Sequence, residues 1–207
     1  MRLDGVGKRF DGRWVLRGID LDLTTGDRLA VIGPNGSGKS TLLRLLCGFA
    51  RPSEGRLTVT RDDASVPDDD LPFLASLTAP ALDLIQEYDL RESIAFHTGF
   101  LPARIPDAQA VARDELGFPD GLPVQAYSSG MQQRLKLFLA LVSDTPIVLL
   151  DEPTANLDAQ GVGWYLEMVD RFAPPGERIV VVASNDERET TFCTSTLHVG
   201  DHSSTRA

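Results

Sequence analysis

The chain has 207 residues with 30 acidic and 20 basic side chains, a net charge of −10 that argues against a nucleic-acid surface, which needs clustered Lys and Arg. Its length suits one α/β domain, or a domain with a small lobe, and its longest apolar runs, such as "PIVLL" and "IVVVA", fall far short of the roughly 20 residues of a membrane helix. The start "MRLDGVGKRF" lacks the apolar stretch of a secretory signal, so a cytosolic chain is expected; the two cysteines, Cys47 and Cys193, offer neither a disulfide framework nor metal-ligand spacing and read as small buried hydrophobes.

In chain order, "VLRGIDLDLTTGDRLAVIG" alternates apolar and polar residues at Ile19, Leu21 and Leu23, turns at Thr25-Gly26-Asp27, and enters the apolar run Leu29–Ile32. That run leads into "GPNGSGKST", residues 33–41. The spacing fits G-x-x-x-x-G-K-[ST], the phosphate-binding loop. Gly33, Gly36 and Gly38 allow positive φ and close backbone approach, so the N–H groups of Gly33 to Thr41, through Pro34, Asn35, Ser37 and Ser40, can wrap phosphate oxygens. "KSTLLRLLCGF", with leucines at 42, 43, 45 and 46 and a stop at Gly48, reads as a helix whose N-terminal dipole lies under the phosphates. Lys39 would reach the terminal phosphates of a nucleotide and the Ser40 hydroxyl would sit on Mg²⁺.

Further along, "GRLTVT" (55–60) reads as a half-exposed strand and "RDDASVPDDD" (61–70) as a solvated hairpin connection. From about Leu82 to Phe118 the pattern is helical, most clearly in "DAQAVARDELGF". "YSSGMQQRLKLFLALV" begins at Tyr127; Ser128 or Ser129 can cap a helix whose free N–H groups attract an anion. In "IVLLDEP" (147–153) a strand delivers Asp151 and Glu152 to the carboxyl edge of a sheet, where ligands gather. Asp151 suits a Mg²⁺ ligand through water, and Glu152 a base polarising an attacking water. A helix "GVGWYLEMVDRF", with Val162, Leu166, Val169 and Phe172 on one face, precedes the strand "RIVVVAS". Strands alternating with helices imply a mostly parallel, covered sheet.

The order of phosphate loop, helical stretch, Ser-Gly motif ending in Gln-Arg and, about 20 residues later, "LLDEPTANLD" resembles the nucleotide-binding domain of ATP-binding cassette (ABC) proteins over roughly residues 1 to 200. Kinases and small GTPases share the phosphate loop but lack the Ser-Gly motif. The resemblance implies an α/β P-loop NTPase of ABC type: a single ATPase domain, 1–207, with a mostly parallel sheet, an antiparallel β subdomain and a helical lobe at about 82–126. It implies ATP and Mg²⁺ as cofactors and a head-to-tail dimer, with itself or a second cassette. Each ATP would lie on one subunit's Gly33–Thr41 loop, covered by Ser128 and Gly130 of the other. Phe10, in "KRFDG", matches the aromatic that stacks on adenine, and Asp158 the aspartate that links the two sites. The lobe would dock transmembrane permease subunits, placing the chain on the cytoplasmic face of the inner membrane, with hydrolysis driving dimer opening.

Three positions depart from the family's pattern. Its signature, Leu-Ser-Gly-Gly-Gln, is here Tyr127-Ser128-Ser129-Gly130-Met131, which keeps the phosphate-facing Ser128 and Gly130. The glutamine expected between phosphate loop and lobe is missing; its place falls near Ala79-Pro80, and Gln86 lies too close to "DLRESIAF" to replace it. Asn185, in "VVASND", stands where the family has a histidine contacting the γ-phosphate. These changes bear on metal contact, coupling and rate, not on ATP binding. An exporter ATPase built from small separate cassettes and permeases fits best. The alternatives are a soluble ABC ATPase of DNA repair or translation, disfavoured by one short acidic cassette, and the haem-exporter ATPase of cytochrome c maturation, whose signature stretch differs from "SSGMQQR".

Overall fold

The computed structural model describes residues 1–200; residues 201–207 of the expected domain lie outside the described residues. Strands β1 (Arg2–Phe10) and β2 (Arg13–Asp22) form a hairpin closed by Asp11-Gly12, both with positive φ (48° and 78°), the geometry that matches strand twist. Strand β3 (Arg28–Ile32) runs through the phosphate loop into helix α1 (Lys39–Leu46), whose four leucines are all buried. Burying each contributes roughly 1.5–3 kcal/mol, which anchors the loop from below.

Strand β4 (Glu54–Thr58) returns to β1, giving an antiparallel sheet of order β2-β1-β4. The acidic stretch divides in two. Strands β5 (Thr60–Arg61) and β6 (Ala64–Ser65) pair around Asp62-Asp63, as a hairpin reading expects, but Asp68–Phe73 winds into a 3₁₀ turn instead of remaining an open connection. Buried Leu71 pulls that segment inward.

Strand β7 (Ala75–Thr78) follows, then a turn over 82–89 where the helical pattern was expected to begin. Helix α2 (Leu90–Thr98) starts in a reciprocal capping box between Asp89 and Glu92, and α3 (Ala108–Leu116) is capped by Asp107. Helix α4 (Ser129–Val142), strand β8 (Ile147–Asp151), helix α5 (Ala159–Phe172), strand β9 (Ile179–Ala183) and strand β10 (Ser195–His198) complete the described chain. On α5 the buried stripe runs through Val162, Tyr165, Met168, Val169 and Phe172. Leu166, expected on that face, is only half-buried, because Tyr165 takes the inward position one residue earlier.

The main sheet has order β10-β3-β9-β8-β7, every neighbouring pair parallel. Its central strands are near-continuous apolar runs, broken only by Arg28 at the start of β3 and Asp151 at the end of β8, as a sheet covered on both faces requires. Val148 and Leu150 point into a core with α4 and α5, while Ile147 and Leu149 point into a second core with α1 and the antiparallel sheet. Behind β8, the buried Arg178 guanidinium donates to the carbonyls of Leu141 (2.8 Å), Ser143 (2.9 Å), Thr145 (2.7 Å) and Phe172 (3.3 Å). Burial lowers its pKa to about 10. A cation at the carbonyl ends of α4 and α5 complements their dipoles.

Candidate functional site

Strand order sets the site. With β9 between β3 and β8, the segments leaving those three strands emerge side by side at the carboxyl edge. They are the phosphate loop, the Asn185 segment and Asp151-Glu152.

Within the loop, Gly33 is required by space: a Cβ there would lie 2.2 Å from the carbonyl oxygen of Val199. Gly38 is required twice over, by a φ of 101° and by a Cβ that would come within 2.8 Å of Leu16. As N-cap of α1 it offers no side chain, so the N–H groups of Lys39, Ser40 and Thr41 keep no intrahelical acceptor. Ser37 donates its own N–H to Pro34 O (3.1 Å) and turns its hydroxyl inward beside Gly33. Lys39 is only 5% exposed, and its ammonium donates to Gly33 O (2.6 Å) and Pro34 O (3.3 Å), closing over the loop. Glu152 joins Lys39, Ser40 and Thr41 around a cavity of about 220 Å³.

Asp151 is buried at the end of β8. Burial pushes its carboxyl above the ordinary range; the nearby Ser40 hydroxyl opposes that shift, and the neighbouring Glu152 charge adds to it. Glu152 has a left-handed backbone, φ 46°, unusual for a residue with a side chain. Its N–H donates to Ala183 O on β9 (2.9 Å) and its carbonyl accepts from Ala155 N–H (3.1 Å). The turn takes the exposed Glu152 out of the strand direction, and the residue lines the phosphate-loop cavity.

Asn185 lies against the loop, its Oδ1 accepting from Gly33 N–H (3.3 Å) and its Nδ2 donating to Asn35 Oδ1 (3.3 Å). The following turn is capped by other residues, with Ser184 Oγ accepting from Asp186 N–H and Asp186 from Arg188 N–H. At the sheet's far side Thr78 pairs with Leu150, so buried Ala79 stands next to the acidic edge, where the missing glutamine was placed. Gln86 is engaged inside its own turn, donating to Leu84 O (2.9 Å).

The remaining expected residues gather elsewhere. Of the two candidate caps, Ser128 is the one used: its hydroxyl accepts from Met131 N–H (3.2 Å), and Ser129 is the first helical residue of α4. At Gly130 a Cβ would stand 3.2 Å from Asn156 O, so the missing side chain lets α4 start against the turn that carries Asp158. Asp158 caps α5, accepting from Gly161 N–H (2.7 Å). Ser128, Gly130 and Asp158 line a cavity of about 600 Å³ that shares no lining residue with the phosphate-loop cavity. Phe10, at the end of β1, is 48% exposed with the Lys8 ammonium 5.0 Å from its ring centre, so it is not a core residue. It lines neither cavity.

Residues 16–155 match the family model described as ABC transporter. The chain is 34% identical over 183 residues to the cytochrome c biogenesis ATP-binding export protein CcmA of Rhodopseudomonas palustris (strain HaA2), covering 87% of this chain and 90% of that protein. It is 34% identical over 206 residues to the lipoprotein-releasing system ATP-binding protein LolD 1 of another strain of that species, CGA009, covering 90% of each. Against the sulfate/thiosulfate import ATP-binding protein CysA of Thermosynechococcus vestitus identity is 37% over 169 residues, and the chain spans only 48% of that protein's length. Among solved structures the fold is similar to the dimeric ATP-binding cassette MJ0796 in a post-hydrolysis state bound to ADP and Pi, with TM-score 0.76 and 22% identity, covering 96% of this chain and 93% of that one.

Proposed function

The chain belongs to the ABC transporter family as an ATPase cassette, and we propose that it works as a head-to-tail dimer that drives export through separate transmembrane subunits. The observation that carries this reading is the division of the site. The phosphate loop with Glu152 and the Ser128–Gly130 motif with Asp158 line separate cavities of one chain, which supports an arrangement in which a second cassette brings one half to the other. The relatives matched over nine-tenths of their own length bear an export name and a lipoprotein-releasing name, which favours the export direction. Among the described residues no helix is long and apolar enough to cross a membrane; in this reading other subunits supply the membrane path and this chain is peripheral on the cytoplasmic face.

ATP phosphates would lie under the free N–H groups of α1, with Lys39 donating to the terminal oxygens and Phe10 stacking on adenine. Ser40 and Asp151 would hold Mg²⁺. Both offer the hard oxygen donors that Mg²⁺ takes, the Ser40 hydroxyl lying near enough to act on the buried Asp151 carboxyl, and among the described residues no cluster of three or more acidic, His or Cys groups competes with them. Mg²⁺ held by these two residues would neutralise charge developing on the phosphate oxygens. Glu152 takes a proton from the attacking water. Asn185 donates an uncharged hydrogen bond to the γ-phosphate, and Ser128 and Gly130 of the partner cover it.

The test is Glu152→Gln. Hydrolysis should fall roughly 10²–10⁴-fold with ATP binding kept, and the variant should collect as a dimer on size exclusion with ATP and Mg²⁺. A wild-type rate removes Glu152 from the mechanism. Pull-down from membranes, identifying the co-purifying subunit, separates a cytochrome c biogenesis exporter from a lipoprotein-releasing one.

A further inference from the structure

The turn that carries Glu152 is held from outside its own strand. Two residues on, Thr154 donates both its backbone N–H (2.7 Å) and its hydroxyl to the same oxygen of Glu189. Glu189, in the 3₁₀ turn Glu187–Glu189, is only 4% exposed. It is anchored from behind as well, its backbone carbonyl accepting from the hydroxyl of the fully buried Tyr165 (3.0 Å). Its second carboxylate oxygen is buried with no hydrogen-bond partner among the described residues. Burying a carboxylate is costly unless its bonds are made, and capping a threonine does not need one.

The placement explains the use of an acid here. Glu189 lies four residues after Asn185 in sequence, and Thr154 lies two residues after Glu152. Glu152, Thr154, Asn185 and Glu189 all line one cavity beside the phosphate loop. The carboxylate therefore ties the segment that touches Gly33 to the segment that presents Glu152. It also restrains a backbone whose left-handed φ of 46° would otherwise relax.

We propose that Glu189 is a positioning residue for hydrolysis: by gripping both donors of Thr154 it fixes the Glu152 turn relative to the phosphate loop. This inference rests on Glu152 being the base. The experiment measures kcat, KM, binding of a fluorescent ATP analogue and thermal unfolding for Glu189→Ala, Thr154→Val, Thr154→Ser and the double variant Glu189→Ala/Thr154→Val, beside Glu152→Gln. Glu189→Ala and Thr154→Val should each lower kcat roughly 10–100-fold, the weight of a hydrogen bond to a charged group, with KM and analogue affinity unchanged. Thr154→Ser, which keeps the hydroxyl, should restore the rate, and the double variant should be no slower than the slower single one.

A purely structural role would lower unfolding temperature without splitting kcat from KM. If Glu189→Ala does not fold, Thr154→Val and its serine rescue carry the same test. Wild-type kcat in the folded single variants, or kcat and affinity falling together, overturns the role of Glu189. If Glu152→Gln is inactive while Glu189→Ala turns over at the wild-type rate, only this inference fails. If Glu152→Gln itself turns over normally, the base assignment fails instead.

Discussion

Two helices begin at the edges of the site, and they begin in opposite ways. Helix α1 starts at Gly38, which offers no side chain, and its open N–H groups lie beneath the folded-over Lys39 ammonium. Helix α4 starts at Ser128, whose hydroxyl is already returned to Met131 N–H. A helix end that must grip phosphate cannot have its donors taken by its own cap, whereas one that only covers a phosphate can be rigid beforehand. Under the proposed dimer, the uncapped α1 would be the end that holds phosphate and the capped α4 the end that closes over it.

The largest effect that sharpens this contrast is expected at Lys39. Lys39→Ala removes the cation from the gripping end, and nucleotide affinity by isothermal titration should fall roughly 10²–10⁴-fold, about the weight of two charge-assisted bonds. Unchanged affinity would erase the distinction between the two helices. Ser128→Arg should do the reverse: binding of ATP to the monomer persists, while ATP-dependent dimerisation on size exclusion is lost. Loss of monomer binding in that variant contradicts the head-to-tail arrangement.

A smaller effect is expected between the two ends, at Asn185. Asn185→Ala should slow turnover by about 10-fold, the weight of one hydrogen bond to a charged group. An amide does not titrate near neutrality, so the acid limb of the rate profile should be the same with or without it. That limb includes Asp151, whose carboxyl burial has pushed upward. As pH falls through that raised value a proton competes with Mg²⁺ for Asp151, so turnover at sub-saturating Mg²⁺ should drop at a higher pH than with an exposed aspartate ligand. A pH–rate profile of wild type and Asn185→Ala checks both statements. The smallest effect belongs to the closing end: Ser128→Ala removes a cap worth about 1 kcal/mol. Its melting temperature should fall by about 2–4 °C with monomer binding unchanged.

The gripping end was the more legible from the sequence. A short apolar run, spaced glycines and a leucine stripe carry β3, the loop and α1 within a continuous segment, so local pattern and tertiary role agree. Asp151 and Glu152 were readable because β8 is apolar to its last turn. The closing end was half legible: the Ser-Gly motif was plain, but which serine caps depends on the phase of α4, set by Leu135, Phe138 and Leu141 packing on distant strands. Strand β10, "STLH", carries one apolar residue and exists because β3 pairs with it. Glu189 left no trace, since its partner Thr154 lies 35 residues away and a single acid in a polar turn has no period to detect.

Arg178 has a consequence for how this half of the protein comes apart. The carbonyls it gathers belong to the end of α4, the approach to β8 and the end of α5, while the residue itself leads into β9. Its charge is satisfied only when all four segments are in place. Any partly assembled intermediate that lacks one of them strands a buried cation, at a cost of about 3–5 kcal/mol, comparable to a large share of a domain's stability. Such intermediates are therefore scarcely populated, and this half should melt in one cooperative step, with hydrogen exchange of α4, α5, β8 and β9 opening at a common rate.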